Sequence, residues 1–173
     1  AAGEIPDPYV DRNELGLQWI GREDWELERS FSLDASFLKH ARVFLEVKMI
    51  DTLAELRVNG QLVGKSENMF RPFCAEIRRF LKEGKNRLSV LIHSPELAAA
   101  AEAARLPYPI PASTYPVCSP HRNLIRKEQC MAGWDWGPCL MTGGIYDGVS
   151  LLALDGPRIL STGFRARPVA SPD

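Results

Sequence analysis

The sequence has no long apolar run, no excess of one charge and few cysteines. No hydrophobic stretch in the 173 residues approaches the ~20 residues that a transmembrane helix needs. Lys and Arg number 21 against 22 Asp and Glu, which gives a formal net charge of −1. This balance argues against a nucleic-acid partner, which requires a basic face, and gives no indication of a membrane partner. The first ten residues also lack the basic start and apolar stretch of a secretory signal.

The four cysteines are too few for a disulfide scaffold in a chain of this length. They are Cys74, Cys118, Cys130 and Cys139. No two of them form a Cys-x-x-Cys unit, so a zinc site that uses His121 is the less favoured alternative and ordinary thiols are predicted. We therefore expect no metal and no cofactor. The sequence contains no Asn-x-Ser/Thr sequon, and the cysteine usage and missing sequon together favour a bacterial cytoplasm.

Alternating apolar and polar residues predict β-strands along most of the chain. The predicted strands cover residues 25–33, 43–49, 54–58, 61–65, 88–92, 149–154 and 159–165. The dipeptide Asn59-Gly60 predicts a tight hairpin, since both residues tolerate positive φ. Turns are expected at 83–86 and 155–157. Because strands do not alternate with helices, the pattern predicts an all-β fold, an antiparallel β-sandwich.

One segment is helical in character and another is irregular. Residues 95–106 are rich in helix formers, with Ser94 placed as the N-cap and Pro95 at the first helical position. The proline-rich stretch that follows, 106–120, is incompatible with a regular sheet. We therefore expect one short inserted helix and a long Pro-rich loop in the sandwich domain. That domain is assigned to residues 1–166, with 167–173 as the start of a linker to a following domain.

The segment Arg122–Pro138 holds the strongest chemical signal. Two of the four tryptophans, Trp134 and Trp136, flank Asp135 between two glycines. An aromatic ring covers the apolar face of a pyranose, and a carboxylate accepts hydrogen bonds from sugar hydroxyls. The alternative is that both tryptophans anchor a core while Asp135 caps a turn. From the residues alone, the two interpretations remain open.

The motif GWDWGP, preceded by IRKEQC, resembles the N-terminal domain of β-mannosidases of glycoside hydrolase family two. The opening, central and closing stretches of that domain are similar to IPDPYVDRNELGLQWIGREDWELERSF, DTLAELRVNGQLVGKSENMFRPF and GGIYDGVSL. Five ordered matches are more specific than one short pattern. The resemblance implies a jelly roll of the galactose-binding type, packed against immunoglobulin-like domains and a TIM barrel.

The resemblance also implies that catalysis and part of the sugar binding belong to different domains. In the family, a Glu pair in the barrel performs retaining hydrolysis of terminal β-D-mannosides, and neither residue is expected in this chain. We therefore expect the chain to be inactive by itself. Carried over by position, Asp135 would bind mannose hydroxyls and Trp134 would line the same subsite. Trp136 would pack beneath the loop, which is further supported by three residues: Gly133, Gly137 and Pro138.

Two other functions stay open at this stage. An autonomous carbohydrate-binding module would bind sugar by itself, and a purely structural domain would need Asp135 only for stability. The chain also departs from the family motif at three places: Met131-Ala132, Cys139 and Tyr146. The small Ala132 predicts looser support under the loop. The charged run 126–128 is expected to be either solvated or paired.

Overall fold

The computed structural model describes residues 3–111, 119–159 and 161–167. Its strands, in chain order, are β1 (Trp25–Leu33), β2 (Arg42–Asp51), β3 (Ala54–Val58), β4 (Gln61–Ser66), β5 (Phe73–Glu76), β6 (Gly84–Ile92), β7 (Ala132–Trp134), β8 (Gly137–Cys139) and β9 (Gly144–Leu154). The α-helices are α1 (Asn13–Gly16) and α2 (Pro95–Arg105). Short 3₁₀ turns cover Gln18–Arg22, Phe37–Lys39, Arg78–Phe80, Arg122–Leu124 and Gln129–Met131. No helix in these ranges is both long and apolar enough to cross a membrane.

Two antiparallel sheets face each other across the core. One sheet has the order β1-β6-β3-β4 and the other has the order β5-β2-β9. Strands β7 and β8 form a separate two-stranded hairpin. The core contains the inward-facing apolar residues of both large sheets, such as Val43, Leu45 and Val47 from β2 and Leu56 and Val90 from β3 and β6. The predicted all-β antiparallel sandwich is confirmed.

Most of the predicted strands form, and the turn chemistry explains the central hairpin. Asn59 and Gly60 adopt φ of 50° and 83° between β3 and β4. Both values lie in the left-handed region that Asn and Gly accept more readily than other residues. The inserted helix is confirmed as α2, whose first turn is capped by the Ser94 hydroxyl accepting the Leu97 N–H at 3.1 Å. The predicted Pro-rich loop falls partly on residues 112–118, which lie outside the described ranges.

Three details differ from the sequence expectation. Residues 159 and 161–165 form no strand, and Phe164 is 96% exposed, because the alternating pattern there meets no partner strand. The turn expected at 83–86 is instead the start of β6: Gly84 pairs with Leu33, and the Asn86 side chain bonds the backbone of residues 82 and 84. Strand β5, the hairpin β7–β8 and helix α1 were not predicted, since each is only three or four residues long.

Strand β1 is less buried than its alternating pattern predicts. Leu27 is 42% exposed, while Phe31 and Leu33 are half-buried against the core. The reason is position, because β1 is an edge strand of its sheet and lies across a groove from the edge strand β9. The burial of β1 depends on its edge position in the sheet, which the alternation of apolar and polar residues does not reveal.

Candidate functional site

The Trp-Asp-Trp motif forms the tip of the hairpin β7–β8. Trp134 pairs with Gly137, which leaves Asp135 and Trp136 as the two-residue turn. Gly133, one residue before the tryptophan, has φ of 91°, a conformation that a side chain at this position would strain. The glycine therefore permits the backbone path that carries Asp135 to the tip.

Asp135 is exposed, and the two tryptophans lie against each other. Their ring centroids are 5.1 Å apart with a tilt of 44°. Among the described residues, the Asp135 carboxylate has no hydrogen-bond or ion-pair partner. Trp136 is 74% exposed, so it does not pack beneath the hairpin as expected. It belongs to the turn and not to a strand, and its ring lies against that of Trp134.

A shallow groove runs beside the hairpin. Its lining consists of Phe70, Asn123, residues 125–130, Trp134 and Trp136. Phe70 is 57% exposed, so the groove presents aromatic rings on two sides. Asp135 is not part of this lining. The structure therefore places Trp134 and Trp136 along the groove and Asp135 at the exposed tip beside it.

Arg122 supports the first strand of the hairpin. Its guanidinium lies 4.4 Å from the centroid of the Trp134 ring and donates a hydrogen bond to the Gly133 carbonyl. A cation over an indole face is attracted by the negative charge density of the ring. Arg122 thus fixes both the backbone before Trp134 and the plane of its ring.

Two residues from the N-terminal segment hold the second strand. The Glu14 carboxylate accepts a hydrogen bond from the Cys139 N–H, and the Gln18 amide donates to the Cys139 carbonyl at 2.8 Å. Both the N–H and the carbonyl of Cys139 in β8 are therefore hydrogen-bonded to side chains of the N-terminal segment. These partners come from positions more than 120 residues earlier in the chain.

A small apolar cluster supports the base of the hairpin. Ala132, Cys139 and Met141 are all buried and contact one another. Ala132 is fully buried in this cluster beside Met141, and the looser support expected from its small side chain stays a prediction. Gly133, Gly137 and Pro138, predicted to support the loop, lie at the two strands of the same hairpin.

The charged run 126–128 divides between solvent and core. Arg126 and Glu128 are exposed, but Ile125 and Lys127 are buried. The Lys127 ammonium forms an ion pair with Asp51 at 2.9 Å, and both side chains are fully buried. The period-two alternation from Ile125 to Glu128 was the available signal for this burial. A fully buried lysine is contrary to the general preference of its residue type, so this alternation alone does not predict it.

Other polar candidates do not form a ligand site. Among the described residues, no group of three or more His, Cys, Asp or Glu side chains is placed to hold a metal ion. His121, expected to make a backbone hydrogen bond, has a buried Nδ1 without a partner in the described part of the chain. The ring centroids of Trp19 and Trp25 are 5.9 Å apart. Both residues lie far in sequence from the hairpin β7–β8, which is called the Asp135 hairpin below. Cys118 lies outside the described residues.

Residues 1–147 match the model of a family described as glycosyl hydrolase 2 galactose-binding domain-like. The chain belongs to this family. The fold and the hairpin therefore define a galactose-binding-like sandwich domain of the glycosyl hydrolase 2 group.

Several proteins that are similar to this chain are named beta-mannosidase. The chain is 35% identical over 157 residues to a beta-mannosidase of Capra hircus and 33% identical over 158 residues to a probable beta-mannosidase of Caenorhabditis elegans. These alignments cover 86% and 87% of this chain and 17% of each relative. The crystal structure of a beta-D-mannosidase from Dictyoglomus thermophilum superposes with a TM-score of 0.85 at 39% identity, covering 90% of this chain and 19% of that one. The chain thus spans less than one fifth of these relatives.

Proposed function

We propose that this chain is the non-catalytic N-terminal domain of a retaining β-mannosidase that removes terminal non-reducing β-D-mannose. The Asp135 hairpin forms part of the mannose subsite, and the catalytic Glu pair belongs to a TIM-barrel domain of the parent enzyme. Immunoglobulin-like domains of the same parent are its other packing partners. The similarity to beta-mannosidases over 86–90% of the chain supports this proposal.

The observation that carries the proposal is the exposed carboxylate of Asp135 at the tip of a fixed hairpin. Both strands of the hairpin are bound by side chains from distant parts of the domain. The carboxylate itself has no partner among the described residues. A charged group that is held in position and left unpaired is suited to bind a ligand outside its own domain.

The chemistry of the tip fits a sugar rather than an anion. A carboxylate accepts hydrogen bonds from neighbouring hydroxyls, and an adjacent indole covers the C–H face of the ring. Contacts with hydroxyls far from the anomeric carbon stabilise the distorted ring that forms during glycoside hydrolysis. Asp135 then acts by orienting mannose, while the barrel performs the bond cleavage.

The test is the turnover of an aryl β-mannoside by the full-length parent enzyme with Asp135→Ala. We expect kcat/KM to fall by about 10- to 100-fold, because a hydrogen bond to a charged group contributes about 1.5–3 kcal/mol. The thermal midpoint should stay unchanged, since the carboxylate is exposed. Asp34→Ala is the matched control, because Asp34 is also exposed and without a described side-chain partner. Wild-type kinetics in Asp135→Ala would exclude Asp135 from the subsite.

A further inference from the structure

The two ends of the hairpin converge on one buried ammonium group. Lys127 lies five residues before β7, and Thr142 lies three residues after β8. The Lys127 ammonium donates to the Thr142 carbonyl at 2.6 Å and to the Asp51 carboxylate at 2.9 Å. A single side chain therefore connects the segment that enters the hairpin with the segment that leaves it.

The third member of this cluster belongs to the core of the sandwich. Asp51 is the last residue of β2, the central strand of its sheet. Its carboxylate also accepts hydrogen bonds from the hydroxyls of Thr52 and Thr142. The hairpin base is thus fixed to a core strand and not to a surface loop. We refer to Lys127, Asp51 and Thr142 together as the Lys127 clamp.

Burial makes this connection stiff. The side chains of Lys127 and Asp51 are both 0% exposed, so water does not compete for the ammonium or the carboxylate. Separating them would leave two unpaired buried charges, which is strongly unfavourable. Lys127 and its sequence neighbours, residues 125–130, form one wall of the groove beside Trp134. Any displacement of the clamp would move that wall and the hairpin together.

We propose that Lys127 is a positioning residue of the mannose subsite, acting through the hairpin on Asp135. This inference rests on the proposed function. The clamp sets the place of the Asp135 carboxylate relative to the rest of the domain without contacting the sugar. Because a displacement of about 1 Å costs up to two orders of magnitude in rate, even a small movement of the tip reduces turnover.

The experiment is a mutant cycle in the full-length parent enzyme. Lys127→Met alone leaves the Asp51 carboxylate buried without its ion-pair partner, which strongly destabilises the fold. The informative variant therefore removes both charges. Lys127→Met with Asp51→Leu leaves no unpaired ion, and such apolar replacements are often tolerated. The double variant is made in the wild-type and in the Asp135→Ala background, and kcat/KM for an aryl β-mannoside is measured in all four proteins. Lys48→Gln with Asp147→Asn is the control, because it removes one exposed ion pair between β2 and β9.

The cycle separates positioning from general support. We expect the clamp variant to lower kcat/KM about tenfold when Asp135 is present and less than about twofold when it is Ala, because the two changes then affect one interaction. Amide hydrogen exchange of peptide 129–140 should rise in the clamp variant. Equal losses in both backgrounds would reduce Lys127 to a structural role and overturn the proposal. No loss in either background would also overturn it.

A failure of the proposed function has a different pattern. In that case Asp135→Ala alone would leave kcat/KM unchanged, and the inference about Lys127 would fall with it. If Asp135→Ala lowers kcat/KM while the clamp variant does not, only the inference about Lys127 is overturned.

Discussion

At the residue scale, Asp24 shows how one carboxylate joins separate parts of the domain. It accepts the Ser94 backbone N–H at 2.7 Å, and its other oxygen lies 3.1 Å from His93 Nδ1. Ser94 in turn donates its hydroxyl hydrogen to the Gly21 carbonyl and caps α2. The Ser94 N–H, followed by His93, lowers the pKa of Asp24 below its ordinary value. The carboxylate therefore stabilises the fold in its charged form.

This pKa shift predicts a pH-dependent effect of Asp24→Asn. A lowered folded-state pKa contributes stability that is present above the unfolded value of about 3.9 and is lost as the pH falls through the folded value. We expect Asp24→Asn to reduce the free energy of unfolding of the chain by about 0.2–1 kcal/mol at pH 7, the range for exposed charged pairs. Urea unfolding at pH 7 and pH 3 measures it, with Asp34→Asn as the control. An equal difference at both pH values would contradict this assignment.

Residue identity indicated the turn at the Trp-Asp-Trp triplet better than it indicated which side chains are buried. The Trp-Asp-Trp triplet and the glycine at position 133 indicated a turn with a carboxylate, and the structure has one. The burial of Lys127 was not predictable from residue type, because it depends on Asp51 at a distance of 76 positions in the chain. The exposure of Trp136 likewise depends on its place in the turn, which its aromatic character does not reveal.

At the element scale, the hairpin β3–β4 depends on local turn chemistry. The Asn59 side chain donates to the Phe80 carbonyl and to the Asn86 side chain, both at 2.8 Å. Gly60 has φ of 83° and open space where a Cβ would lie. A Cβ added at Gly60 would therefore contact no neighbouring atom. The loss of folding free energy on substitution then reflects the backbone conformation alone.

This predicts that Gly60→Ala lowers the free energy of unfolding by about 1–2 kcal/mol, the cost of a left-handed conformation in a non-glycine residue. Gly156→Ala is the matched control, because Gly156 also has open space but no positive φ. Urea unfolding of both variants of the chain measures the difference. Equal stability of the two variants would show that the turn relaxes without strain.

The two hairpins differ in how far the sequence predicts them. The Asn-Gly turn was predictable because its signal is local and its strands alternate. The Asp135 hairpin has three-residue strands, and its fixed shape depends on Glu14, Gln18 and Arg122. Two of those contacts join residues more than 120 positions apart. Local periodicity contains no information about such contacts.

At the scale of the whole molecule, the open groove beside the hairpin is what the proposed function expects of one half of a pocket. The groove beside the hairpin is open, and its aromatic residues Phe70 and Trp136 are more than half exposed. The chain also spans only 17–19% of the beta-mannosidases that it resembles. Under the proposed function, the other wall of the pocket lies on another domain of the parent enzyme, which would cover these rings and face Asp135.

The most direct test of this account is a crystal structure of the full-length parent with a mannose-shaped inhibitor. The account predicts an Asp135 carboxylate oxygen within hydrogen-bond distance, about 2.5–3.0 Å, of a sugar hydroxyl remote from the anomeric carbon. Trp134 should lie in the same pocket, opposite the barrel. A bound inhibitor enclosed by the barrel alone, with the Asp135 hairpin facing solvent, would contradict the central claim.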